Sequence, residues 1–358
     1  MSSTTETTTP GPEVIRVYCL ASAEIAVPAV HQLVADDTID LVGCGTQPDR
    51  PYGRKRRLQP TPVGAALAAA GVAVDKPESV NTAAFRAHVA GLRPEVIVVF
   101  AFGQILGSKF LQLPTHECIN VHASLLPRFR GASPVHAAIV AGDAVTGITI
   151  MQMVRKMDAG PIYKQYRTEI KETENAAELA DRLGELAREH IVPAVHNVYH
   201  GRWEAQPQDE TQACYANKLT KADGFLDFSA PAAALARRIR GYTPWPGAWC
   251  LVQPFSPAAP DHGDVGRKEK RIIVTRASAL DHDRDATAPG TILQADDHGW
   301  SIACGRGALA IERVIPAGKG DMTATDLIRG YPTNQGNFVH ETYYRQLREP
   351  ANTCSPVR

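Results

Sequence analysis

Between residues 14 and 170 the chain repeats one pattern, a short β-branched run followed by an Ala- and Leu-rich stretch at helical spacing. Runs at 14–20, 39–44, 72–74, 96–100 and 118–121 read as strands, with helices at 25–34, 62–70, 82–90 and 133–141 between them. Strands separated by helices are joined by crossovers, so they lie parallel in a sheet covered on both faces. The expected fold class is therefore α/β, a Rossmann-like, mostly parallel sheet with helices on both faces, whose ligands bind beyond the carboxyl ends of the strands. Two further strands are expected at 146–153 and 161–170. A helix comes next, with Asn175 and Glu178 as a capping pair and Leu179, Leu183 and Leu186 at helical spacing, running to about Pro193.

Beyond residue 200 the pattern changes. The polar segment 201–213, with Pro207, reads as a linker. Strand-like pieces at 249–252, 271–275, 290–293, 300–303 and 309–314, separated by Gly, Pro and Asp turns, suggest a small OB-like β-barrel. A chain of 358 residues suits two domains. The expected division is a flexible tail at 1–12, a first domain at 13–200, the linker at 201–213, a second domain at 214–330 and a C-terminal extension at 331–358.

Composition narrows the function. With 38 basic against 38 acidic residues the protein is not a globally basic nucleic-acid binder, which leaves room for a local basic patch. Seven scattered cysteines without a Cys-x-x-Cys pair signal a reducing compartment, with neither a disulfide framework nor a zinc site, and no metal is expected. The first dozen residues have neither a basic start nor an apolar stretch, and the longest apolar run, 96–102, is too short to span a bilayer. A cytoplasmic protein with no membrane partner is expected.

The chemistry centres on Ile119-Asn120-Val121-His122 and the residues just after it. On a strand, residues two apart leave on the same face, so Asn120 and His122 aim an amide and a titratable base at one spot. An imidazole can take a proton at neutral pH, and a carboxamide can donate to an oxyanion. Asp158, in Met157-Asp158-Ala159-Gly160, arrives from a later loop and could orient His122 or act as a base itself. Between them lie Ser124-Leu125-Leu126-Pro127 and then Arg128-Phe129-Arg130-Gly131. Amide, imidazole and carboxylate are the groups that acyl transfer to an amine requires. The turn after the first strand is Ala21-Ser22-Ala23, without the glycines of a dinucleotide site, and there is no Walker loop or Gly-x-Ser-x-Gly.

A second feature is Thr46-Gln47-Pro48-Asp49 and the cations behind it, Arg50, Arg54, Lys55, Arg56 and Arg57. They come directly after the second strand, so they overhang the same sheet edge as His122. Such a run is either a solvated basic loop or a finger that grips phosphates. Lys218, Lys221, Arg237, Arg238 and Arg240 are candidates to extend a phosphate-binding surface, while the aromatics and prolines of 241–249 read as a rigid packed corner.

These motifs resemble the 10-formyltetrahydrofolate-dependent formyltransferases, and the chain from about 14 to 319 is similar to the members that act on methionyl-tRNA. Asn-x-His with Ser-Leu-Leu-Pro and the later Asp-x-Gly mark the family as a whole. The Thr-Gln-Pro-Asp-Arg-Pro loop and the second domain point to the acceptor. The resemblance implies formyl transfer from 10-formyltetrahydrofolate, a co-substrate, to the α-amino group of methionyl initiator tRNA. It makes Asn120, His122 and Asp158 the catalytic trio, has Ser124, Leu125, Leu126 and Pro127 line the folate site, and has Arg50, Arg54, Lys55, Arg56 and Arg57 contact tRNA. The alternative acceptor within the family is an amino sugar nucleotide or a glycinamide ribotide. The chain departs from the family in having Ala21-Ser22-Ala23 where Gly-Thr-Pro is usual.

Overall fold

The computed structural model describes residues 13–53, 56–252, 270–281, 287–296 and 299–330. Contacts divide them into two compact units. The first holds the described residues up to Arg130, with Gly147–Arg167 and Ala180–Ala213; the second holds Gly131–Thr146, Thr168–Leu179 and the described residues from Cys214 on.

The chain begins with β1 (Ile15–Ala21), α1 (Val27–Ala35) and β2 (Ile39–Gly45). A hairpin of β3 (Arg50–Tyr52) and β4 (Arg57–Gln59) comes next, then α2 (Pro62–Ala69), β5 (Val74–Asp75), α3 (Ala83–Gly91), β6 (Val96–Phe100), α4 (Ser108–Leu111) and β7 (Glu117–His122). Helix starts are set by side-chain chemistry: Thr61 and Thr82 accept from the amides of Gly64 and Phe85, and Pro62 opens α2. After β8 (Arg130–Gly131) come α5 (Pro134–Ala141), β9 (Val145–Gln152), β10 (Ile162–Glu169) and α6 (Ala176–Tyr199).

Seven strands form one sheet in the order β10-β9-β7-β6-β1-β2-β5. Neighbours from β5 to β7 are parallel, and β9 pairs antiparallel with β7. Every residue of β6 is buried, the mark of a strand covered on both faces, whereas β10 at the edge is half-exposed along its length. The order reverses between β1 and β6, and a crevice at their carboxyl ends is where such sheets take ligands. His122 ends β7, the next strand over.

Helix α6 continues through Pro193 to Tyr199, beyond the stop that the proline suggests. Its apolar face explains why: Ile191, Ala194, Val195 and Val198 are all buried past or beside that proline. Burying each large apolar side chain is worth roughly 1.5–3 kcal/mol, enough to offset the ~3 kcal/mol cost of an interior proline. The helix starts with a reciprocal capping box. Asn175 Oδ1 accepts from the amides of Ala177 (2.9 Å) and Glu178 (3.1 Å), while the Asn175 amide donates to Glu178 Oε2 (2.9 Å).

In the second unit, β11 (Tyr215–Ala216) leads to α7 (Ala232–Gly241), β12 (Ala248–Val252), β13 (Lys270–Leu280), β14 (Ile292–Asp296), β15 (Gly299–Ala303), β16 (Ala308–Pro316), β17 (Met322–Thr323) and α8 (Ala324–Gly330). The strands form an antiparallel sheet in the order β12-β13-β16-β15-β14, with β17 beside β16. Leu235 and Ile239 of α7 and Leu327 of α8 share one core with Val274, Trp300 and Leu309. These two helices are not announced by the strand spacing. Cys19, Cys44, Cys118, Cys250 and Cys304 are buried free thiols, and Cys214 is disulfide-bonded, which the scattered cysteine spacing does not foretell. No helix among the described residues is long and apolar enough to cross a membrane.

Replacing Asn175 by Ala removes the acceptor for two amides at the start of α6. We expect a loss of about 1 kcal/mol in stability by urea denaturation, with the slope of the transition unchanged.

Candidate active site

Asn120 and His122 leave the same face of β7, opposite Met151 and Thr149 of β9. Both are almost fully buried, at 7 % and 6 % exposure. Burial of a polar group without a partner is costly, so each ring nitrogen and amide needs a reason to be there. His122 Nε2 lies 2.9 Å from the carbonyl oxygen of Phe129. A carbonyl can only accept, so Nε2 carries the hydrogen and the neutral ring keeps its lone pair on Nδ1. Nδ1 faces Asp158, whose Oδ2 is 3.8 Å away. The Asn120 carboxamide has no hydrogen-bond partner among the described residues and is available to a bound molecule.

Phe129 and Asp158 both hold left-handed backbone, at φ 60° and 50°. Such strain of about 1–3 kcal/mol per residue persists only where the surroundings enforce it. For Phe129 the enforcement is local. Ser124 Oγ donates to the Arg128 carbonyl (2.6 Å), and the buried Thr149 hydroxyl donates to the Ser124 carbonyl (2.6 Å) while accepting from the Leu126 amide (3.1 Å). Gln165 Nε2 donates to the Leu126 carbonyl (2.7 Å) and to Thr149 Oγ1 (3.1 Å). The segment Ser124-Leu125-Leu126-Pro127 is thus sewn onto β9 and β10, with Leu125 and Pro127 half-buried and Leu126 buried.

The Asp158 loop is held through its main chain. Gln208 Nε2 donates to the carbonyls of Asp158 (2.9 Å) and Gly160 (2.7 Å). A Cβ at Gly160 would lie 1.8 Å from the Gln152 carbonyl, so this close approach requires glycine. Gln208 Oε1 accepts in turn from Arg130 Nε (3.1 Å) and Nη2 (2.8 Å). The Arg130 guanidinium is fully buried and also donates twice to Glu210, whose other partner is Lys156 Nζ at 2.7 Å. Hydrogen bonds from Arg130 and then Lys156 lower the Glu210 carboxyl to about 2.

Ser22, in the turn after β1, ties three strand ends together. Its hydroxyl donates to the Phe102 carbonyl (3.1 Å) and accepts from the Gln47 amide (3.0 Å). Gln47 leads into the basic run, which is a hairpin rather than an open loop, with Tyr52 opposite Arg57 and Arg50 opposite Gln59. Gly53 and Arg56 take positive φ at its tip, and the Arg56 amide donates to the Gly53 carbonyl (3.1 Å). Arg56 and Arg57 are exposed, and Arg50 pairs with Glu78 at 3.1 Å on the surface. Arg54 and Lys55 lie outside the described residues.

The cations of the second unit divide. Arg240 donates to the carbonyls of Lys171 (3.3 Å) and Glu174 (3.0 Å), Arg237 packs against Gly142, and Arg238 lies over the Tyr242 ring. These three are half-buried, whereas Lys218 and Lys221 are exposed.

Sequence reasoning passes over Thr149, Gln165, Gln208 and Glu210. Their partners lie far off in sequence, and only the Arg-x-Arg-Gly run gives a signal for Arg130.

Thr149→Val leaves the buried Leu126 amide without an acceptor and should cost roughly 1–3 kcal/mol in urea denaturation. The Glu210 carboxyl is depressed from its ordinary 4.5, so the stability it contributes is complete above that value and is lost as pH falls towards about 2. A carboxyl-detected NMR titration should find Glu210 still ionised at pH values where free glutamates are protonated.

Comparison with known proteins gives the family. The formyl transferase profile matches residues 17–195, and the profile of the formyl transferase C-terminal domain matches 218–332. A methionyl-tRNA formyltransferase from Marinobacter nauticus is 38 % identical over 88 % of this chain and 96 % of its own length. In fold, the chain is similar to an N-formyltransferase from Helicobacter canadensis in complex with folinic acid and dTDP-3-aminofucose (TM-score 0.58, 12 % identity, 84 % of this chain and 100 % of that one). It is similar also to HypX from Aquifex aeolicus in complex with tetrahydrofolic acid (TM-score 0.56, 12 % identity, 92 % of this chain and 51 % of that one). Matched by both family profiles, and over nearly the full length of a relative, the chain belongs to the formyl transferase family.

Proposed function

We propose that Asn120, His122 and Asp158 carry out the formyl transfer of this enzyme, from 10-formyltetrahydrofolate to the α-amino group of methionyl initiator tRNA, in the cytoplasm. The observation that carries the reading is an Asn120 carboxamide with no side-chain hydrogen bond among the described residues, on the same strand face as a histidine whose Nδ1 faces a carboxylate. A free amide donor suits an oxygen that gains negative charge, and a formyl group under attack supplies one.

The amine nitrogen bonds to the formyl carbon and the bond from that carbon to N10 breaks. The proton lost by the amine ends on N10. Asn120 donates to the formyl oxygen as charge develops there, which is worth ~10²–10³-fold in rate. With Nε2–H committed to Phe129, His122 takes the amine proton at Nδ1, and Asp158 stabilises the imidazolium until the proton is passed on. Such a positioned base contributes ~10²–10⁴-fold. The sewn segment Ser124–Pro127 lines the folate side, and Arg50, Arg54, Lys55, Arg56 and Arg57 contact the tRNA backbone. Residues 13–200 are the catalytic domain and 214–330 the tRNA-binding domain, joined by 201–213. Aligning two large substrates can supply ~7–11 kcal/mol of the barrier reduction, which gives the second domain a share in catalysis.

The test offers 10-formyltetrahydrofolate with charged initiator tRNA, charged elongator tRNA and an amino sugar nucleotide in parallel. Formylation of the initiator tRNA is expected, and preference for the amino sugar would overturn the reading. His122→Ala should lower kcat by ~10²–10⁴-fold. Arg56→Ala with Arg57→Ala should raise KM for tRNA and flatten its salt dependence, by about 0.7–0.9 in log–log slope for each phosphate released from the protein. An unchanged salt slope would remove the hairpin from the interface.

A further inference from the structure

We infer that Gln208, backed by the buried guanidinium of Arg130, is a positioning residue for the formyl transfer, setting the Asp158 carboxylate against His122 through the main chain of its loop. The inference rests on the catalytic roles proposed above for His122 and Asp158.

The Gln208 carboxamide is saturated. It has two amide hydrogens, and its Nε2 is within hydrogen-bond distance of two carbonyls, those of Asp158 and Gly160. Its oxygen accepts from two nitrogens of one guanidinium, Arg130 Nε and Nη2. Turning the amide over would set an oxygen against two carbonyls and an NH₂ against a cation. The side chain therefore has one orientation, and that orientation fixes the heights of the Asp158 and Gly160 carbonyls together.

The guanidinium behind it is fixed as well. Arg130 has no exposed surface, and its other donors engage Glu210 through both carboxylate oxygens. Losing either acceptor would leave a buried guanidinium under-satisfied, although Glu210 itself reaches solvent, so this anchor does not drift. The strand-like exchange between Ile162 and Gln206, with amide-to-carbonyl distances of 2.7 and 2.8 Å, locks the backbone just before Gln208 to the start of β10.

The loop needs such an anchor. Asp158 sits at φ 50°, a conformation that relaxes unless it is held. Its carboxylate is 3.8 Å from His122 Nδ1, far enough that a small further shift would weaken the interaction with a charged ring. A segment that reads as an interdomain linker thus supplies the brace of a catalytic loop.

The experiment is a double-mutant cycle on the full-length enzyme, with single-turnover formylation of methionyl-tRNA as readout. Gln208→Leu should lower the rate of the chemical step by ~10–10²-fold with KM for both substrates little changed. In an Asp158→Ala background the same substitution should have no further effect, because the residue it positions is gone. Gln208→Glu retains the acceptor for Arg130 but loses the amide donors, so it should fall with Gln208→Leu. It also keeps the test open should the leucine variant fold poorly in a melting experiment.

Equal losses in both backgrounds, a loss confined to KM, or full activity in Gln208→Glu would each overturn the inference. Full activity in Asp158→Ala alone would instead overturn the role given to Asp158, and the two failures are told apart by that single variant.

Discussion

An imidazole buried at the end of a strand has two nitrogens to satisfy, and in this protein one of them is spoken for by a backbone oxygen. The bond from His122 Nε2 to the Phe129 carbonyl decides which nitrogen can exchange protons and where that nitrogen points. Much of the local structure reads as a means of keeping this oxygen in place. Ser124, Thr149 and Gln165 pin the intervening turn, and Phe129 holds a left-handed conformation that the turn would otherwise shed. On the other side of the ring, Gln208 and Arg130 do the same for Asp158. The side chains at the centre of the site are few, and the apparatus that orients them is larger and mostly polar.

That division explains how much could be read beforehand. Strand alternation announces the parallel sheet because period and composition are local properties, and the spacing of Asn120 and His122 comes from the pleat alone. The capping box at Asn175 is legible for the same reason, since its partners are three residues apart. Arg130 meets Gln208 and Glu210 across some 80 positions, and no window of sequence contains that contact. Pro193 misleads because a local rule about helix ends gives way to burial along the helix face. The basic run hides its hairpin, because charge dominates a segment in which alternation is only three residues long.

Ser22 shows how a departure from family pattern can leave the physics intact. The turn after β1 has to join the ends of β1, β2 and β6, and a hydroxyl that donates once and accepts once does so. Threonine would bring the same hydroxyl with an added methyl. At position 22 the change therefore removes one methyl and keeps the bonds that hold the three ends.

The carbonyl of Phe129 carries a further consequence for the residue it belongs to. The contact with His122 is made by an atom that every amino acid possesses, while the Phe129 ring is committed separately, buried with the Arg128 guanidinium over its face. A substitution at 129 would thus keep the bonding atom and still lose the packing around the ring.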